Sequence, residues 1–302
     1  MLTIYQRSIT YRKPRTVEKF QKGSWMHLEK PTEEELATAA KTLGVEIDTL
    51  KDALDPYEAP RLESEKEGVY TFIRFPHGES TMPMLAVVAK EGILTISQDK
   101  SPLMEKFLDG TIDFYTTQKA RFVLLILAEV NRRYTNAMST IRKEVNRSKT
   151  RPDKMSSKDI VRFVSHESTV SDYVDSLIPQ QVVLNKILLG KVLEIHDEDE
   201  DLAEDIILST NQLIESGRAT LRTMINIRSA YTAISTERLN TIIRRLTALT
   251  VLLTVPTVIT SFYGMNVPLP GGDYEFAAYT IIGMIVVIVG ALIFALSKNK
   301  WL

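Results

Sequence analysis

Leu246-Thr247-Ala248-Leu249-Thr250-Val251-Leu252-Leu253-Thr254-Val255-Pro256-Thr257-Val258-Ile259-Thr260-Ser261-Phe262-Tyr263-Gly264-Met265-Asn266 contains no Asp, Glu, Lys or Arg, and the charge-free run continues to residue 272. A second such run covers residues 276–297. At about 1.5 Å of rise per residue, either run is long enough to cross a hydrocarbon core of roughly 30 Å. The chain as a whole is 25% charged. Two neutral stretches this close together at its carboxy-terminal end describe a membrane hairpin.

The flanking charges orient it. Arg244 and Arg245 precede the first span, and Lys298 and Lys300 follow the second. The connection between them holds Asp273 and Glu275 and no base. Cytoplasmic ends collect Lys and Arg, so both termini are expected in the cytoplasm and the short acidic loop outside the cell membrane. Tyr263, Tyr274, Tyr279 and Trp301 suit interfacial anchors. The first ten residues lack the apolar core of a signal peptide, and the absence of cysteine agrees with a reducing compartment.

Ahead of the hairpin lies enough chain for a domain of about 240 residues. The formal net charge is −1, and no basic arm or aromatic-interleaved basic stripe is present, so no nucleic-acid partner is expected. His27, His77, His166 and His196 lack zinc-ligand spacing. No phosphate-binding glycine loop, nucleophile elbow or His-Glu-x-x-His motif occurs. Catalysis, ATP-driven pumping and an organic cofactor are therefore not expected.

Residues 1–117 read as an α/β domain. Short β-rich runs fall at 2–5, 69–75, 84–89 and 93–97. Thr32 with Glu35 forms a capping box for a helix closed by Gly44, and a second short helix at 47–54 stops before Pro56. Residues 118–198 read as a helical region, with long helices over 118–147 and 157–188 turning at Arg151-Pro152-Asp153. A third helix begins near Asp199 and meets no proline before Pro256. Residues 199–245 are its stalk, 246–266 the first span, 267–277 the outer loop, 278–297 the second span and 298–302 a basic tail. Unbroken from 201 to 266, that helix is on the order of 100 Å long, which calls for packing against copies of itself.

Inside the first span, Asn240, Thr247, Thr254 and Ser261 are spaced by sevens, as are Ile243, Thr250, Thr257 and Gly264, offset by three. Together they form one helical seam rich in hydroxyls. Hydroxyls in membrane helices commonly bond back to their own backbone, which accounts for scattered ones such as Thr241 and Thr260 but not for a shared face. One helix cannot enclose a path, whereas identical copies around a rotation axis can. Rings of neutral oxygens suit a divalent ion that keeps its waters, as Mg²⁺ does. Rings of carboxylates would hold it too tightly to release it. The membrane potential supplies about 4.6 kcal/mol per divalent ion per 100 mV.

Tyr263-Gly264-Met265-Asn266, at the outer end of the first of two terminal spans, resembles the signature of the CorA family of divalent-cation channels. The Lys298-Asn299-Lys300-Trp301-Leu302 ending and the Pro256-Thr257-Val258-Ile259-Thr260-Ser261-Phe262 run are similar to that family too. So is Asp55-Pro56-Tyr57-Glu58-Ala59-Pro60-Arg61-Leu62-Glu63, which follows its Asp…Glu-x-Pro-Arg-x-Glu stretch. The resemblance implies a homopentameric funnel: an α/β cytoplasmic domain, long stalk helices and a two-helix transmembrane hairpin. It implies Mg²⁺ as both cargo and regulatory ligand. It makes Asn266 the first selectivity ring, on a turn that Gly264 permits, with Met265 beside it and Tyr263 as support. Thr257 and Ser261 become hydroxyl rings, Asn240 lies near the cytoplasmic mouth, and Ile243 and Leu246 form a hydrophobic constriction there.

The loop after Gly-Met-Asn departs from the Met-Pro-Glu pattern of many members, leaving Asp273 and Glu275 as its only acids. By distance from the motif, Asp205 matches a sensor aspartate for cytoplasmic Mg²⁺. The acidic run 197–201 is either a further sensor or a solvated helix start. The neutral seam does not separate Mg²⁺ from Zn²⁺, Co²⁺ or Ni²⁺. A membrane-anchored coiled-coil scaffold is the reading from another class.

Overall fold

The computed structural model describes residues 1–8, 13–149, 155–189, 192–267, 276–299 and 301. Its contacts divide the chain into two units, Met1–Ile227 and Arg228–Leu302. The expected Arg151-Pro152-Asp153 turn, Asp273, Tyr274, Glu275 and Lys300 lie outside the described residues.

The first unit is built on a seven-stranded mixed sheet. Its strands are β1 (Leu2–Gln6), β2 (Arg15–Thr16), β3 (Ser24–Glu29), β4 (Arg61–Ser64), β5 (Gly68–His77), β6 (Ser80–Ala89) and β7 (Gly92–Ser97). They lie in the order β2-β1-β3-β7-β6-β5-β4. Only the β3–β7 pair is parallel, with Trp25 opposite Ile93 and Leu28 opposite Ile96. Both faces of the sheet are covered. Met26, Leu28, Tyr70, Phe72, Leu85 and Leu94 pack with Leu36, Ala39, Leu43 and Leu50 of helices α1 (Glu33–Leu43) and α2 (Ile47–Asp52). The alternate residues Trp25, Ile73, Phe75, Met84 and Ile93 pack on the other face, as the period-2 pleat requires.

That second core draws on α3 (Pro102–Leu108) and the long helices α4 (Lys119–Lys149), α5 (Ser157–Leu189) and α6 (Asp197–Tyr263). The capping box expected at Thr32 is present: the Glu35 amide donates to Thr32 Oγ1 at 3.2 Å, and the Thr32 amide donates to Glu35 Oε2 at 3.0 Å. Gly44 closes α1 with φ 69°, a left-handed conformation that favours glycine.

The motif stretch 55–63 is held by ion pairs and hydrogen bonds. Arg61 Nε lies 2.7 Å from Glu63 and Nη2 2.8 Å from Asp52, Nη1 pairs with Glu58, and the guanidinium stacks 3.8 Å over Phe72. Arg74 donates to the carbonyls of Pro56 and Glu58 at 2.9 and 2.8 Å. These contacts give the Glu-x-Pro-Arg-x-Glu pattern a structural role.

Among the described residues, the second unit is the remainder of α6 and α7 (Ala277–Lys298). Both carry apolar windows long enough to span a bilayer and almost unburied by protein. An apolar helix that the protein itself leaves bare is stable where lipid covers it.

Candidate functional site

On α6 the half-buried residues of the span are Leu252, Val255, Pro256, Ile259 and Tyr263, in line with the fully buried Ala248. On α7 they are Ile281, Ile285, Ile288, Val289, Leu292 and Leu296. Each set falls at helical spacing, so each helix carries one less exposed stripe.

The seam lies elsewhere. Asn240, Ile243, Thr247, Thr250, Thr254, Thr257, Ser261 and Gly264 are all exposed, as is Leu246 beside them. At about 100° per residue, the seam points about 180° away from the stripe marked by Ala248 and Ile259. The oxygen-bearing edge therefore lies on the exposed side of α6, opposite its half-buried stripe.

Three of the seam hydroxyls bond back to the helix. Thr250 donates to the Leu246 carbonyl at 2.9 Å, Thr254 to Thr250 at 2.8 Å and Thr257 to Leu253 at 2.7 Å. This does not oppose the pore reading; it sets the polarity of the seam. With their hydrogens committed inward, these three threonines present oxygen lone pairs outward. The first-shell waters of a cation point hydrogens outward, so such an edge accepts from them.

At the outer end, the Gly264 amide donates to the Thr260 carbonyl at 2.9 Å and the Met265 amide to Phe262 at 3.3 Å. The turn that follows Gly264 needs no left-handed backbone at the glycine itself. It is absent from the glycines with positive φ. A Cβ at this position would meet the Thr260 carbonyl oxygen at 3.2 Å, so the lack of a side chain matters for close approach instead. Met265 and Asn266 are exposed beyond the helix end. Tyr263 is half-buried on the stripe opposite the seam, its ring edge-on to Phe262 at 5.6 Å.

The acidic start of α6 divides into distinct roles. Asp197, Glu198, Asp199 and Glu200 occupy the first turn, where acids favour the helix dipole. Asp199 is buried and bound to Arg121, so it is not free to sense a metal. Asp205 is exposed, between the buried Ala203 and Ile206. Among the described residues no group of three His, Cys, Asp or Glu is arranged to hold an ion. The histidines are structural or exposed: His27 is buried against Thr95, and His166 Nε2 lies 2.8 Å from Glu144.

Comparison with known proteins decides the family. The profile described as "CorA-like Mg2+ transporter protein" matches residues 20–298. The chain belongs to the CorA family. A cobalt/magnesium transport protein CorA of Methanocaldococcus jannaschii is 25% identical over 295 residues, covering 92% of this chain and 91% of the relative. A zinc transport protein ZntB of Pectobacterium carotovorum is 27% identical over 127 residues, covering 42% of this chain and 39% of the relative. The solved complete structure of the CorA magnesium transporter from M. jannaschii superposes with a TM-score of 0.87 at 21% identity, over 100% of this chain and 99% of that one. The full-length CmaX protein follows with a TM-score of 0.75 at 16% identity, over 98% and 97% of the two chains. The fold is that of CorA: an α/β domain, a long helix and a carboxy-terminal apolar helix. The family is one of divalent-cation transporters.

Proposed function

We propose that copies of this chain assemble as a homopentamer in the cell membrane, with both termini cytoplasmic, and pass hydrated Mg²⁺ inward down the membrane potential. The pore is lined by Asn240, Ile243, Leu246, Thr247, Thr250, Thr254, Thr257 and Ser261. Asn266, beside Gly264 and Met265, forms the outer selectivity ring. Cytoplasmic Mg²⁺ bound between subunits, with Asp205 contributing, closes the channel.

The observation that carries this reading is the exposed hydroxyl seam on the face opposite the half-buried stripe. The hydroxyl hydrogens of Thr250, Thr254 and Thr257 are bonded inward to the helix backbone. A ring of such acceptors exchanges hydrogen bonds with the waters of a passing ion while sparing the cost of dehydrating it, which is high for Mg²⁺.

A second reading, Zn²⁺ as cargo, draws on the Pectobacterium relatives. Reconstitution into liposomes loaded with an ion-sensitive dye tests both. Potential-driven entry of Mg²⁺ that exceeds entry of Zn²⁺, Co²⁺ and Ni²⁺ is expected. Entry of Zn²⁺ alone would favour the second reading, and no ion entry at all would leave the membrane scaffold.

A further inference from the structure

Charge at one end of the two spans is almost wholly positive. No Asp or Glu occurs from residue 238 to 272, or after Glu275. Arg244 and Arg245 precede the first span, and Lys298 ends the last turn of α7. All three are exposed. Among the described residues, Glu237 lies 3.9 Å from Arg244, and both side chains are about half exposed, so water screens the pair. Two spans joined by one short connection bring these three cations to the same membrane face. At about 100° per residue, Arg245 falls opposite the hydroxyl seam and Arg244 on its flank. The positive charge is thus displaced from the edge that would carry cations.

We propose that Arg244, Arg245 and Lys298 form a head-group site for anionic phospholipids where α6 and α7 leave the hydrocarbon. Long basic side chains at this depth extend to the interface, and the anions within their reach there are lipid phosphates. Guanidinium groups bind a phosphodiester through paired N–H donors, which favours arginine for two of the three positions. Trp301, partly exposed just beyond Lys298, sits at the same interface. Occupied, the site neutralises charge that would otherwise oppose a divalent cation at this end of the spans. That consequence rests on the function proposed above, whereas the lipid site itself does not.

The chain's two tryptophans make the site measurable. Trp25 is fully buried in the α/β core and contributes a constant background, so Trp301 reports on lipid. The full chain is reconstituted in phosphatidylcholine vesicles carrying equal fractions of brominated phosphatidylglycerol or brominated phosphatidylcholine, and quenching is compared. Stronger quenching by the anionic lipid is expected, weakening with added salt. Arg244→Gln, Arg245→Gln and Lys298→Gln combined should abolish it, at on the order of fivefold in lipid preference per cation removed. Equal quenching by the two lipids, or a preference untouched in the triple variant, overturns the site. Because the wild-type comparison needs no substitution, poor folding of the variant leaves the test intact. Lipid preference without ion flux would sink the transport reading and spare this one.

Discussion

Arg121 Nη1 lies 2.5 Å from Asp199 Oδ1, joining the first turn of α4 to the first turn of α6. The aspartate is 5% exposed and the arginine 36%, so the two partners do not respond equally to removal. Arg121→Gln strands a buried charge and is expected to cost roughly 2–3 kcal/mol, less than for a fully buried pair because water reaches the arginine side. Asp199→Asn strands only a half-exposed cation and should cost about 1 kcal/mol. Denaturant unfolding of the two variants checks the order.

The seam makes a directional prediction. Thr257→Val keeps side-chain shape but removes the outward lone pairs, so ion flux should fall severalfold. Thr260→Val removes a hydroxyl that bonds the Thr257 carbonyl at 3.1 Å, about a quarter-turn off the seam, and should leave flux near the wild-type level. Equal effects of the two in dye-loaded liposomes would contradict the seam.

Asp205 carries the regulatory prediction. Asp205→Ala should weaken closure by cytoplasmic Mg²⁺ and leave flux at low Mg²⁺ unchanged. Inside-out patch recordings across a Mg²⁺ titration give the answer; an unshifted closing curve would remove Asp205 from the sensor.

The Glu29 carboxyl is held below its usual range by the His27 imidazole 3.3 Å away and by the Ser101 amide, against the opposing pull of partial burial. Its folded pKa is depressed, so its contribution to stability is present above the unfolded value of about 4.3 and is lost as pH falls through the folded one. Wild type and Glu29→Gln should therefore differ in Tm at neutral pH and converge at acidic pH.

Gly217 lies where α6 meets α4 and α5. A Cβ there would come within 2.5 Å of Val174 Cγ2 and 3.2 Å of Met138 Cε. Overpacking of this kind costs about 1–3 kcal/mol, against about 1 kcal/mol regained in helix propensity. Gly217→Ala should lower Tm, and adding Val174→Ala should recover part of the loss, as a double-mutant cycle would record.

Much of the local structure is legible without coordinates. The α1 capping box and its closing glycine follow from Thr32, Glu35 and Gly44. The long helices match their expected spans within a few residues, with α6 starting at Asp197. The strands β2, β3 and β4 and the helix α3 are not legible. β3 is buried on both faces, so Ser24-Trp25-Met26-His27-Leu28-Glu29 shows no alternation of polar and apolar residues. In the interior, Trp25 Nε1 and His27 Nδ1 each meet Thr95 Oγ1 at 2.8 Å. β4 has four residues, two of them charged, and is stabilised by pairing with β5.

The residue order alone determined the two spans, the heptad-spaced hydroxyls and the Gly-Met-Asn end, because charge exclusion and helical period are properties of a single segment. Only the tertiary structure decided which acid at the head of α6 is committed to Arg121. It alone set the parallel pairing of β3 with β7 and the side of the first span that packing leaves open. Those outcomes depend on contacts between segments far apart in the chain, whose burial and partners no local pattern encodes.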